Sequence, residues 1–333
     1  MGDWLKGRVA VVTGAGGGLG KAVTMALAEQ GAKVVVNDLG VATDGTGTSH
    51  KAADIVVDEI KQKGGAAVAN YDSVATMQGG ENIVKTALDA FGTVDIVVTC
   101  AGILRDRMIF NMTEQEWDAV IATHLKGTFT VVKPASVIMR QKRYGRIITF
   151  TSTSGLYGNI GQANYSTAKS AIAGFTKVVA LDLGRYGVTA NTIAPMAATR
   201  MTLTEDYLAS KARRDAIGVV REGFGYDPQV VEMNPAEVPP VVAYVASEKA
   251  GFMNGQAIFV GGGVISLVAP PRPAKTIFKP GRWTVDELIE WVPQRRGRMG
   301  LVVPPALMQS TAQALATQAA GAGQSQSATQ KAG

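Results

Sequence analysis

Tyr165 and Lys169 stand four apart in a segment of helical pattern, so their side chains share one face. Ser152 lies thirteen residues before the tyrosine, at the end of an apolar run of β type. A Tyr-x-x-x-Lys pair alone is common. The serine makes the set informative, because the carboxyl end of a strand and the start of a following helix can converge on one crevice. The three residue types suit proton transfer at an alcohol or carbonyl oxygen. A phenol ordinarily titrates at about 10, too high for an efficient base at neutral pH, and a neighbouring ammonium favours its phenolate. The serine hydroxyl can hold the substrate oxygen beside the tyrosine as charge develops. No His/Cys/Asp cluster shows metal-ligand spacing, and this chemistry needs no metal.

A second constellation supplies what the first one lacks. Residues 13–20 read TGAGGGLG, directly after an apolar strand and directly before a helical pattern. Gly14, Gly16, Gly18 and Gly20, with Leu19, form a turn whose backbone can approach a pyrophosphate, and the helix start offers free N–H groups and a positive dipole end. Asp38 ends the next strand, eighteen residues after Gly20, where a carboxylate can bind the hydroxyls of an adenosine ribose. That charge would repel the extra phosphate of NADP, and position 17 is Gly rather than a basic residue, so the reading is NAD. The competing reading of Asp38 is a solvated loop acid. With a nicotinamide present, the cofactor takes or gives the hydride and Tyr165 handles the proton.

These groups must be positioned by an alternating chain of strands and helices. Strand patterns fall at 9–13, 33–37, 66–70, 95–99, 146–151, 189–194 and 257–260, with helical patterns such as 19–30 and 81–90 between them. Near-continuous apolar strands imply burial on both faces. The order predicts an α/β fold: a doubly wound (Rossmann) parallel sheet of about seven strands with helices on both faces. Two long connections, 39–50 and 196–240, read as a surface loop and as a lid over the site. Residues 1–265 read as this domain. Residues 266–305 form a Pro-punctuated extension whose 284–291 segment starts on a capping box, Thr284 with Glu287, and 306–333 is an Ala/Gln/Ser/Gly tail of disordered composition.

Composition bounds the remaining possibilities. Of the 333 residues, 46% are hydrophobic and 18% charged, enough for one deep core. The net charge of +6 suits phosphate-bearing partners, but the densest basic cluster, Arg295, Arg296 and Arg298, is too short for nucleic-acid binding. One cysteine, Cys100, excludes an intrachain disulfide and argues for a reducing compartment. The first residues show no apolar signal-peptide region, and the longest uncharged stretch, 250–271, is too rich in Gly and polar residues for a membrane span. The expectation is a cytoplasmic protein.

Together the glycine-rich turn, the Ser152/Tyr165/Lys169 set and the NTIAP segment at 191–195 closely resemble the short-chain dehydrogenase/reductase family over about residues 6–263. More narrowly, VVVNDLG, AGILRDRM, HLKGTF and GNIGQANYSTAK resemble the (3R)-hydroxyacyl-CoA dehydrogenase domain of the peroxisomal multifunctional enzyme (17β-hydroxysteroid dehydrogenase type four) and its single-domain bacterial relatives. The resemblance implies further cofactor contacts. Asp72 and Ser73 would flank the adenine, Ala101 and Gly102 would line the cofactor channel, and Ile193, Pro195 and Thr199 would meet the nicotinamide end. It also implies a homodimer or homotetramer. His124 stands where the family has an active-site Asn, and is read equally as a catalytic member or as a buried structural histidine. Two other departures are Thr99-Cys100 in place of Asn-Asn, which removes an amide that ties the sheet together, and Met196 in place of Gly.

What the resemblance implies for function is NAD-dependent oxidation of a (3R)-hydroxyacyl-CoA to the 3-ketone, with Tyr165 as base. The alternative is a 17β-hydroxysteroid or sterol side-chain dehydrogenase. A 3-oxoacyl-carrier-protein reductase fits less well with Asp38, and a non-catalytic NAD(H) sensor fits poorly with an intact Ser152/Tyr165/Lys169 set. Arg105, Arg107 and Lys126 are candidates for coenzyme A phosphates, and equally for a solvated face.

Overall fold

In the computed structural model the structure describes residues 2–196, 234–271, 273 and 280–294. Eight strands form one sheet in the order β3-β2-β1-β4-β5-β6-β7-β8. They are β1 (Val9–Thr13), β2 (Lys33–Asn37), β3 (Ala67–Asn70), β4 (Ile96–Thr99), β5 (Gly145–Phe150), β6 (Val188–Pro195), β7 (Ala257–Gly261) and β8 (Val264–Val268). The first seven run parallel and β8 pairs antiparallel with β7. The order reverses between β1 and β4, and that reversal opens a crevice at the carboxyl ends of the strands.

Alternate residues of each strand enter two separate cores. Ala10 and Val12 pack with Val23 and Leu27 of α1 (Gly18–Glu29), Val56 and Ile60 of α2 (Lys51–Gln62), and Val242 of a helix at Val238–Ala246. Val9 and Val11 pack on the other face, with Ile83 of α3 (Met77–Phe91), Val131 and Met139 of α5 (Gly127–Lys142), and Leu183 of α7 (Ala163–Gly184). Two shorter helices, α4 (Glu114–Ile121) and α6 (Thr153–Tyr157), stand at the crevice. The double burial explains why the middles of β1, β2 and β4 carry successive apolar residues rather than alternating ones.

Two elements depart from the sequence pattern. Helix α3 begins at Met77, four residues before the pattern suggests, with Thr76 accepting from the Gly79 N–H as N-cap. Gly79 and Gly80 disguise the start, and both are required there. A Cβ on Gly80 would lie 2.2 Å from the Thr130 carbonyl oxygen. The eighth strand is the other difference. Gly262 and Gly263 both have positive φ and turn the chain tightly back against β7, while Ile265 and Leu267 of β8 remain exposed. An apolar run with one open face lacks the buried signature that marks the other strands.

The chain divides into Met1–Ala269 and Pro270–Gly333. Within the second unit a helix at Val285–Gln294 starts on the expected capping box: the Thr284 N–H donates to Glu287 Oε2 at 2.8 Å, and the Glu287 N–H to Thr284 Oγ1 at 3.2 Å. Most of the 196–240 connection and the whole of 306–333 lie outside the described residues. Among the described residues no helix is long and apolar enough to cross a membrane.

The base of the sheet is fixed by one buried carboxylate. Asp95, 2% exposed, accepts from the Val9 N–H at 2.8 Å and pairs with Lys142 and with Arg8 at 3.6 Å. It joins β1 to the strand ends opposite the crevice. Removing it takes one partner from the half-buried Lys142 ammonium, which keeps Thr93 Oγ1 and the Val94 carbonyl, and leaves the Val9 N–H without its acceptor, so Asp95→Ala should lose about 2 kcal/mol of unfolding free energy in urea titration. A loss under about 1 kcal/mol would show that the pair contributes no more than a surface bridge.

Candidate active site

A cavity of about 530 Å³ occupies the crevice at the switch in strand order. Its floor at one end is the glycine-rich turn. Gly14 has φ 64°, and a Cβ there would lie 2.7 Å from the backbone of Ala101, so β1 and the turn after β4 touch without side chains between them. A Cβ on Gly20 would fall 2.0 Å from the Gly14 oxygen, which explains a bare helix turn at that point. Gly18 has φ 52° and lines the cavity with nothing within 4 Å of its Cβ position. This arrangement leaves room for a pyrophosphate against backbone N–H groups at the start of α1.

Asp38 stands at the same end, and its carboxylate is held by two main-chain donors. The Gly16 N–H reaches Oδ2 and the Gly40 N–H reaches Oδ1, each at 2.7 Å. Asp72 and Ser73 also line the cavity. The Asp72 carboxylate is tied back by Asn70 at 2.8 Å and by Asn82 at 2.9 Å, and buried Asn37 joins β2 to the same network through Asn70 and the Asp72 carbonyl.

At the other end the catalytic candidates converge. Ser152 follows β5, caps α6 by accepting from the Ser154 N–H at 3.1 Å, and lines the cavity with Tyr165 and Lys169. The Lys169 ammonium is buried, donates to the Phe150 carbonyl at 2.8 Å, and lies 5.6 Å from the centre of the Tyr165 ring. Burial pushes its pKa down to about 8, so it is cationic at neutral pH. Burial pushes the neighbouring Cys100 thiol up to about 12, which keeps it protonated.

His124 sits in a single π-helical turn, Ala122–Lys126, between α4 and α5. Its ring packs edge-on against Tyr165, with centroids 5.2 Å apart and planes at 88°. Nε2 lies 2.8 Å from the Ile103 oxygen and 3.1 Å from the Ile103 nitrogen, while buried Nδ1 makes no hydrogen bond among the described residues. Burial first, and then the Lys169 charge, push its pKa down to about 3. The imidazole is therefore neutral. Its surroundings make it both a buried structural residue and a wall of the cavity.

Ala101, Gly102, Pro195 and Met196 line the cavity. Gly16 packs against Asp38 and Ala52 outside the lining, and Ile193 is a fully buried core residue of β6. Thr199 lies outside the described residues. The tie expected to be lost at Thr99-Cys100 is made by other groups: the Cys100 N–H donates to the Thr13 carbonyl at 3.2 Å, and the Ala101 N–H to the Thr13 hydroxyl at 3.3 Å. Arg107 is paired with Glu116 at 3.0 Å, and Lys126 is exposed.

Sequence reasoning passed over two positioning residues. Asn164, fully buried, donates to the Arg105 and Glu116 carbonyls at 2.9 and 3.1 Å and accepts from the Tyr165 N–H at 2.7 Å. Gly155 allows α6 to touch α7, since a Cβ would lie 2.7 Å from Lys169. Asn164 was inside the GQANYSTAK run that carried the resemblance, so a polar residue beside the tyrosine was the available signal. Among the described residues no group of three His, Cys, Asp or Glu is gathered to hold a metal.

A family model for short chain dehydrogenase matches residues 8–208. A short-chain type dehydrogenase/reductase of Mycobacterium tuberculosis is 49% identical over 263 residues, 79% of this chain and 85% of that protein. Mouse peroxisomal multifunctional enzyme type 2 is 46% identical over 82% of this chain, which spans 34% of that enzyme. The hydroxyacyl-CoA dehydrogenase ChsB1 of M. tuberculosis is 39% identical over 85% of this chain and 87% of its own. A crystal structure of a short chain dehydrogenase from Mycobacterium avium superposes with a TM-score of 0.75 at 40% identity, covering 90% of this chain and 98% of the other.

The neutral imidazole has a measurable consequence. Its folded pKa of about 3 lies below the ordinary 6.5, so the unfolded chain takes up the proton first as pH falls. Stability carried by neutral His124 is then lost between those values. The unfolding free energy of wild type minus that of His124→Asn should fall by about 1.4 kcal/mol per unit between pH 6 and pH 4. A difference independent of pH would mean that His124 is not buried in neutral form.

Proposed function

Because the chain belongs to the short-chain dehydrogenase family, and is thus an oxidoreductase acting on a CH–OH group, we propose that it oxidises a (3R)-hydroxyacyl-CoA to the 3-ketoacyl-CoA with NAD⁺. The observation that carries this reading is the meeting of Ser152, Tyr165 and buried Lys169 in the same cavity as Asp38 and the glycine-rich turn. The peroxisomal multifunctional and hydroxyacyl-CoA dehydrogenase names of its relatives support the substrate class.

The residues present fit a dinucleotide. Gly14, Gly18, Leu19 and Gly20 would hold the pyrophosphate and Asp38 the adenosine ribose. Asp72 and Ser73 would flank the adenine, and Ala101, Gly102 and Pro195 would line the way to the nicotinamide. Bound there, the oxidised cofactor would accept the hydride from the carbinol carbon. Ser152 donates a hydrogen bond to the substrate oxygen and holds it at Tyr165. The Tyr165 oxygen takes the hydroxyl proton. Lys169, fixed by the Phe150 carbonyl, supplies the positive charge that favours the phenolate. His124, neutral, contributes no charge and fixes the ring of Tyr165.

NAD is preferred over NADP because the Asp38 carboxylate would stand against a ribose phosphate. Exposed Phe129 and Val137 on α5, with Val178 and Leu181 on α7, support assembly into a homodimer or homotetramer. The single cysteine supports a cytoplasmic setting.

Purified protein should form NADH from a medium-chain (3R)-hydroxyacyl-CoA and not from the (3S) isomer, and Tyr165→Phe should lower kcat by a factor on the order of 10³. Turnover of a steroid alcohol in place of both isomers would move the substrate to the alternative class. Asp38→Ala should raise the NADP-to-NAD ratio of kcat/KM about tenfold or more. An unchanged ratio would remove the ribose-carboxylate argument.

A further inference from the structure

The 39–50 loop is not a free surface excursion. Leu39, Val41, Thr43 and Gly45 line the cavity, and so do Ile103, Leu104 and Arg105 from the segment after β4. The two segments are bonded to each other. The Leu104 N–H donates to the Thr43 carbonyl at 2.9 Å, and the Arg105 Nε–H donates to the Asp44 carbonyl at 2.9 Å. Gly45, at φ 87°, packs onto Ile103, whose Cδ1 would be 3.1 Å from a Cβ there.

The turn that receives Arg105 is built for this contact. The Ala42 N–H donates to the Thr46 carbonyl at 2.8 Å and the Gly45 N–H to Ala42 at 3.0 Å. The Asp44 carboxylate accepts from the Thr46 N–H and hydroxyl, while its main-chain carbonyl accepts from Arg105. The stem of the loop is equally constrained: Gly40, at φ 68°, holds the Asp38 carboxylate, and the Ser49 N–H closes the stem onto the Leu39 carbonyl at 3.1 Å. On the other side Ile103 is bonded through its main chain to His124, and His124 lies on Tyr165. One chain of contacts thus runs from the ribose carboxylate, over the cavity, to the catalytic phenol.

We infer that Arg105 is a positioning residue for the cofactor, latching the 39–50 loop over the ribose end of the dinucleotide so that the latch must open for the cofactor to leave. This rests on the proposed NAD reading. It also reassigns Arg105, whose Nε is committed to the loop rather than to a coenzyme A phosphate. The latch is a single charge-assisted bond at an exposed site, strong enough to slow release and weak enough to open on each turnover.

The test is NADH release from the full-length protein, followed by fluorescence in stopped flow, with hydrogen exchange over residues 41–47 in the cofactor-free state. Arg105→Ala should speed release roughly three- to tenfold, raise the Kd for NADH in proportion, and accelerate exchange in that segment. Arg105→Lys, which keeps a cationic donor, should recover part of each effect. Gly45→Val should spring the same turn with Arg105 intact and also speed release. Unaltered release and exchange in Arg105→Ala, with normal NADH binding by wild type, overturns the latch alone. A raised KM for the acyl-CoA with unaltered NADH release also overturns it, in favour of a phosphate contact. A wild type that binds neither NADH nor NADPH overturns the NAD reading and the latch together.

Discussion

Burying the ammonium of Lys169 is the constraint around which the site is organised. A lysine taken out of water is costly unless its charge is met by well-placed oxygen, and the carboxyl end of β5 offers one here. The Phe150 carbonyl receives the ammonium, and the Thr151 hydroxyl donates to the Lys169 carbonyl at 2.7 Å. These two bonds fasten α7 to the strand end on both sides of one residue. Helix α6 must then lie so close to α7 that residue 155 has no room for a side chain. Ser152 and Tyr165 are brought to one cavity as a result of this seam. The order of cause runs from a buried charge to a helix position, and from the helix position to the geometry of the proposed catalytic set.

The electrostatics inside the cavity are simple for the same reason. Desolvation keeps the Cys100 thiol protonated and the His124 imidazole neutral, while Lys169 retains its charge at neutral pH. The Lys169 cation therefore stands beside the phenol of Tyr165, 5.6 Å from its ring centre. The opposite end of the cavity carries the negative charge of Asp38, partly met by the N–H groups of Gly16 and Gly40. A dinucleotide lying between them would have its ribose at the acid and its redox end at the base. Separation of the two charges by the length of the cavity gives the site its polarity.

Much of this was legible in the sequence, and the parts that were not share a physical cause. Residues 9–12, 34–36 and 96–98 of β1, β2 and β4 are successive apolar residues because helices cover both faces, so their pattern was plain. The Ser152/Tyr165/Lys169 set was legible because local rules, helix spacing and a strand end, place all three. Asn164 was not singled out because its partners, the carbonyls of Arg105 and Glu116, are 59 and 48 residues distant in the chain and carry no sequence information. Ile193 was drawn to the cofactor by resemblance, yet strand alternation turns its side chain into the core beside Ile258. The β8 hairpin was missed because its apolar residues are exposed, which is the reverse of the signal used to find strands.

The π-turn at 122–126 shows why an isolated substitution is hard to interpret from sequence. A histidine is bulkier than the asparagine of the resembling family, and in a regular helix it would need space in the wall formed by residues 101–103. The wider turn places the ring over Gly102, where even a Cβ would lie 2.3 Å from Cε1, so the glycine and the histidine are fitted to one another. The ring then reaches the Ile103 main chain through Nε2 and the Tyr165 ring through its edge. A smaller side chain at position 124 would leave both contacts unmade and the main chain of Ile103 without its partner. Position 124 is thus defined by what it joins, the loop after β4 and the first turn of α7, and a neutral aromatic ring with one polar nitrogen on its rim satisfies both sides at once.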